Sequence, residues 1–152
     1  MVATAIAPVA NIHITLCTSP EVGIIMDGGS KTQNMIADAM LAAFSSVIQE
    51  HKIPGLMQSN GKTFDLVVSL LEVDSVFLDG ISEPDYMNLR STLVQNKHVL
   101  WVMRNPTWSR AEPSHALADG LGRVLMSEDL DNKFATLYIS MVGTAMRRKP
   151  QS

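Results

Sequence analysis

A chain of 152 residues with ten methionines, 5% aromatic residues and a formal net charge of −3 is the size of one domain and can bury a core of flexible aliphatic side chains without staples. A pI near 5.7 and a single cationic cluster, Arg147, Arg148 and Lys149, offer no field for phosphates, which excludes nucleic acid as the expected partner. One cysteine, Cys17, no zinc-spaced Cys and His set, no basic leader and no long apolar run exclude an internal disulfide, a metal and a membrane span, so the expectation is a cytoplasmic protein.

In chain order, residues 1–10 are small and apolar around Pro8 and read as a flexible arm. Ile12 to Cys17 alternates as a strand, with His13 and Cys17 on its second face, both read as structural because neither has an identifiable partner. Val22 to Met26 is a short apolar strand that turns at AspGlyGlySer. Ser30 and Gln33 then have capping-box spacing at the head of a helix striped by Ile36, Met40, Ala43, Phe44 and Val47, which Lys52, Ile53, Pro54 and Gly55 end. Gly28 and Gly29 precede this helix, but they form no G-x-G-x-x-G pattern and no P-loop lysine follows.

Residues 55–63 are a Gly, Ser and Asn loop before the buried strand Phe64 to Leu71, which runs into Glu72, Val73 and Asp74. Ligands in open α/β sheets sit beyond the carboxyl ends of strands, so these two acids have the right address for acid and base work, although solvated loop carboxylates are the commoner case. Ser82 and Asp85 form an S-x-x-D cap with Pro84 in the first turn, opening a helix striped by Tyr86, Leu89, Leu93 and Val94. His98 to Met103 is a β-rich run without alternation, as expected of a strand covered on both faces. After Pro113, Leu117, Leu121, Val124 and Leu125 recur at helical spacing, and Phe134 to Ile139 supplies a further strand. A strand, a crossover helix and a second strand make a βαβ unit. The chain as a whole, residues 1–152 with flexible ends at 1–10 and 143–152, therefore reads as one three-layer α/β domain with a mainly parallel sheet of four to five strands.

Residues 64 to 140 carry a resemblance beyond pattern. FDLVVSLLEVD, HVLWVMR, ALADGLGRVLMSED and KFATLYIS resemble the non-catalytic half of the ketoreductase region of fungal highly reducing polyketide synthases. That family has a "vLWvt" strand, a "GLaRtlrsE" helix and a "f.tLdld" strand, matched here by Leu100, Trp101, Val102, Gly120, Leu121, Arg123, Ser127, Glu128 and Leu137. The resemblance implies a truncated Rossmann-like, pseudo-ketoreductase subdomain that braces a catalytic half and binds no NADPH. Two departures stand out: the family's last strand often ends in Asp where this chain has Tyr138, Ile139 and Ser140, and its helix often has a second Arg where Met126 stands. A catalytic reductase half would need a glycine-rich dinucleotide loop and a Tyr-x-x-x-Lys pair, whereas Tyr86 is followed four residues on by Arg90 and Tyr138 by Val142. The chain reads equally as a freestanding relic of a synthase or as an excised piece of one.

Gly120 reads as a close approach of its helix to the sheet, Arg123 as a partner of Glu128 or Asp119, and Trp101 as core. Trp108, in the loop from Pro106 to Arg110, is better placed to floor an apolar pocket. The first functional expectation is thus a structural or interaction module without cofactor, partnered by polyketide synthase domains. The second is a freestanding accessory enzyme of cyclase or pericyclase type, in which orientation supplies much of the rate. Its catalytic candidates are Glu72, Asp74 and His115 and its substrate-binding candidates Arg104 and Trp108. A carrier would hold a polyketide in the same pocket without turnover. A freestanding chain is expected to form a homodimer through an edge strand or through Met141 to Met146.

Overall fold

The structure, a computed structural model, describes residues 20–44, 49–54, 62–104, 113 and 115–140. The arm at 1–10, the expected strand from Ile12 to Cys17, Trp108 and the segment after Ser140 lie outside the described residues. Five strands and three helices follow one another as β1 (Glu21–Met26), α1 (Lys31–Phe44), β2 (Gln49–Pro54), β3 (Leu66–Glu72), α2 (Glu83–Gln95), β4 (His98–Arg104), α3 (His115–Glu128) and β5 (Lys133–Ile139). Every strand pair is parallel, and the sheet order is β2-β1-β3-β4-β5. This is an α/β domain of Rossmann-like type.

The two faces of the sheet separate the helices. Leu89 and Leu93 of α2 and Ala118 and Leu125 of α3 pack with Val67, Leu71, Val99, Trp101, Met103 and Phe134. On the other face, Ile36 and Ala37 of α1 pack with Val22, Ile24, Met26, Val68, Leu70 and Val102. Strand residues alternate between these sets, as the period of two demands. Trp101, fully buried, stacks on Phe134 with ring centroids 6.1 Å apart.

Helix entries follow the local chemistry. Ser82 caps α2 by accepting from the Asp85 N–H at 3.3 Å and donates its own hydroxyl to the Asp85 carboxylate at 2.6 Å. Ser30 accepts from the Gln33 N–H at 3.1 Å. The Gln33 side chain reaches past the cap and accepts from the Asp27 N–H at 2.7 Å.

Several details depart from the sequence reading. The first helix stops at Phe44, and Gln49–Pro54 forms the edge strand β2 instead of a helix end. The segment QEHKIP lacks apolar alternation because an edge strand tolerates charge and proline where a central one does not. Leu117 and Val124 are exposed, as are Tyr86 and Val94; the inward stripe of α3 is Ala118, Gly122 and Leu125. Gly120 has open space around it, whereas a Cβ on Gly122 would lie 2.8 Å from Cε1 of Phe134. Gly122 is therefore the glycine of close approach. The partners expected for Arg123 are engaged elsewhere: Glu128 lies 3.7 Å from Arg90 of α2, and Asp119 accepts from Thr136 at 3.0 Å.

One irregularity matters for the site. Ser69 of β3 faces Trp101, but Glu72 faces Met103, so three steps along β3 match two along β4. This one-residue bulge resets the alternation. Leu71 belongs to the α2 and α3 face, and Glu72, the very next residue, also reaches that face to meet Trp101.

Candidate functional site

In this strand order the chain leaves β1 and β3 in opposite directions across the sheet, opening the crevice in which α/β folds hold ligands. Here that crevice lies between the Asp27 to Ser30 turn and the segment after Glu72. Four of its backbone donors are already used: Gly29 N–H donates to the Asp27 carboxylate at 3.0 Å, Asp27 N–H to Gln33, Gln33 N–H to Ser30 and Ser30 N–H to the Asp27 carbonyl at 3.1 Å. The Asn34 amide donates to the carbonyls of Gly28 and Ser30, and the Ser30 hydroxyl donates to the Asp74 carboxylate across the crevice. A helix N-terminus normally attracts phosphate through free N–H groups and its positive end. This one is partly occupied by its own side chains and flanked by the carboxylates of Asp27 and Asp74.

The second cluster lies on the α2 and α3 face. Glu72 is 5% exposed; one of its oxygens accepts from the Trp101 indole N–H at 3.0 Å and the other from the Leu78 backbone N–H at 3.0 Å. Its strand neighbour Met103 is in turn paired with Tyr138. Burial pushes the Tyr138 phenol above its usual range, and the charges of Asp119 and Glu72 push in the same direction. Tyr138 therefore stays a neutral hydroxyl to higher pH than an ordinary phenol. Phe77, Leu78, Ile81 and Leu121 pack half-buried around this end of the core, giving an apolar rim about a few polar atoms, the composition of a small-molecule site.

The residues expected from sequence are distributed unevenly over this geometry. Glu72 and Asp74 do not form a pair, since Glu72 bonds Trp101 while Asp74 bonds Ser30 at the head of α1. Nor is Glu72 a solvated loop acid: it ends a strand and is buried. Arg104 is exposed at the end of β4, next to Met103, and His115 opens α3. Trp108 lies outside the described residues. Sequence reasoning missed Tyr138, Asp119 and Thr136 as members of one cluster. The available signal was Tyr138 itself, which stands near where the resembling family often ends its strand in Asp. Among the described residues, no group of three or more His, Cys, Asp and Glu side chains could hold a metal ion, and no helix is long and apolar enough to cross a membrane.

No protein-family model matches the chain, and no solved structure matches it significantly. Curated proteins do. The chain is 34% identical over 90 residues, 59% of its length, to the highly reducing polyketide synthase curS1 of Aspergillus terreus. It is 35% identical over 82 residues, 54% of its length, to the reducing polyketide synthase hmp8 of Hypomyces subiculosus. It is 40% identical over 81 residues, 53% of its length, to the highly reducing polyketide synthase ZEA2 of Gibberella zeae. The match spans 3% of the length of each of these relatives.

Proposed function

We propose that this chain, homologous over about half its length to fungal highly reducing polyketide synthases, serves polyketide biosynthesis as a non-catalytic pseudo-ketoreductase unit that does not bind NADPH. The observation that carries this reading is the head of α1. Four of the N–H donors there, those of Asp27, Gly29, Ser30 and Gln33, are bonded within the turn and its helix head, and the acids Asp27 and Asp74 flank the position where a dinucleotide would place its pyrophosphate. Displacing those bonds and accommodating phosphate beside two carboxylates would offset what the helix end contributes. The role left to the fold is to present a folded surface to synthase domains. Calorimetric titration with NADPH tests the reading: no heat of binding is expected, and a Kd in the low micromolar range would overturn it.

The cluster around Tyr138 favours a second reading, that of an accessory cyclase, pericyclase or carrier. A neutral phenol and a buried carboxylate inside an apolar rim suit an uncharged polyketide better than a nicotinamide cofactor. In this reading Glu72 orients Trp101 and the loop that follows β3, while Arg104, His115 and Trp108 remain the candidates at the carboxyl ends. We further propose that a freestanding form is a homodimer. Light scattering across a dilution series checks this, and a monomer at high micromolar concentration would rule it out.

A further inference from the structure

Glu72 is a buried carboxylate at the end of β3. Among the described residues no cation lies against it, and its two partners are neutral N–H groups, one in the core (Trp101) and one in the loop (Leu78). A carboxylate is satisfied in two environments, by these two N–H groups or by water. The segment it holds is also built to move as a unit: Phe77, Leu78 and Ile81 lie on the core but are only half-buried, so lifting them forfeits part of an apolar contact. The segment turns at Gly80, whose φ of +98° lies in the region glycine adopts without strain.

We propose that Glu72 is the latch of a strap, residues 75–81, whose release uncovers a binding surface formed by Trp101, Met103 and Tyr138 for an uncharged, largely apolar molecule bearing a hydroxyl or amide. The chemistry of that surface sets the ligand class. Release frees the Glu72 oxygen that accepted from Leu78, while the other stays on the Trp101 N–H, and a hydroxyl or amide N–H satisfies the freed acceptor. The charges of Glu72 and Asp119 disfavour anions. The bulge in β3 is what makes the latch possible, since regular alternation would turn Glu72 to the α1 face. This inference does not depend on whether the chain meets synthase domains or acts alone.

Amide hydrogen exchange of the full chain, with Nile red as an uncharged apolar probe, tests it. In the wild type the Leu78 amide is expected to exchange at least about tenfold faster than the Val68 amide in the centre of β3, because the strap opens without the sheet. Exchange of the two amides at one rate would show that the strap opens only with global unfolding and would overturn the proposal. In Glu72→Leu, exchange at Leu78 should rise by about a further tenfold, as expected for loss of a charge-assisted bond, with Val68 unchanged and Nile red emission increased. Glu72→Gln, which keeps one acceptor, should fall between. Equal acceleration at Leu78 and Val68 would reduce Glu72 to a general stabiliser, and accelerated exchange without extra Nile red binding would eliminate the ligand surface.

Discussion

Gly122→Ala and Gly120→Ala should change stability in opposite directions although they lie two residues apart on one helix. Alanine gains about 1 kcal/mol over glycine in a helix interior, and both sites share that term. At Gly120 nothing lies within 4 Å of the added methyl, so the full gain should appear. At Gly122 the methyl would sit 2.8 Å from Cε1 and 3.0 Å from Cγ of Phe134, inside van der Waals contact. The ring is itself packed in the core, stacked on the fully buried Trp101. Overpacking of this kind costs about 1–3 kcal/mol. Since the propensity term cancels between the variants, their difference isolates the packing term, and Gly122→Ala should be less stable than Gly120→Ala by about 1–3 kcal/mol. In a domain of this size that separates the melting temperatures by roughly 2–4 °C per kcal/mol. Urea denaturation followed by far-UV circular dichroism measures it. Two variants of equal stability would refute the placement of α3 against Phe134.

Tyr138→Phe should remove an alkaline weakness. The folded-state pKa of Tyr138 is raised, so its contribution is fully present below the unfolded value of about 10 and is lost as pH rises through the folded value; urea melts from pH 9 to 11 should show the wild type losing stability faster than the variant. Ser82→Ala removes the cap of α2 and should cost about 1 kcal/mol, whereas an unchanged urea midpoint would show the cap to be dispensable. If the chain binds a polyketide, Trp108→Ala should abolish binding in a folded variant, and retained binding would move the site elsewhere.

Elements with a strong local signature were legible in the sequence. His98 to Met103 announces β4 because a strand covered on both faces is apolar throughout, and Ser82 with Pro84 announces α2 because a cap and a first-turn proline need no tertiary context. The edge strand β2 was not legible, since its sequence QEHKIP carries no apolar alternation and its strand character comes from pairing with β1. The role of Gly122 could have been found from spacing: it lies four residues after Ala118 and three before Leu125, on the buried stripe, while Gly120 lies about 200° of helix rotation away on the other side. For Glu72 no such route exists. Its direction is set by a bulge that appears only when β3 is laid against β4, so a reader of the sequence alternates the side chains correctly up to Leu71 and wrongly at Glu72. Tyr138, Asp119 and Thr136 meet because of the β4 and β5 register and the seat of α3, which no motif encodes.

The order of strands also bears on how the chain acquires its structure. From β3 to β5 each strand pairs with the next one in sequence, so this half closes only short loops. β1 pairs with β2, the next strand in sequence, but must also find β3, with Glu21 and Asp65 joined across 44 positions, and loop closure makes such distant pairings slower to nucleate. The β3 to β5 half is therefore expected to form the folding nucleus, with β1, α1 and β2 docking onto its open edge. During synthesis from the N-terminus the order is reversed: β1, apolar and unpaired, leaves the ribosome before its partner exists, and the interval before β3 emerges is when aggregation competes with folding.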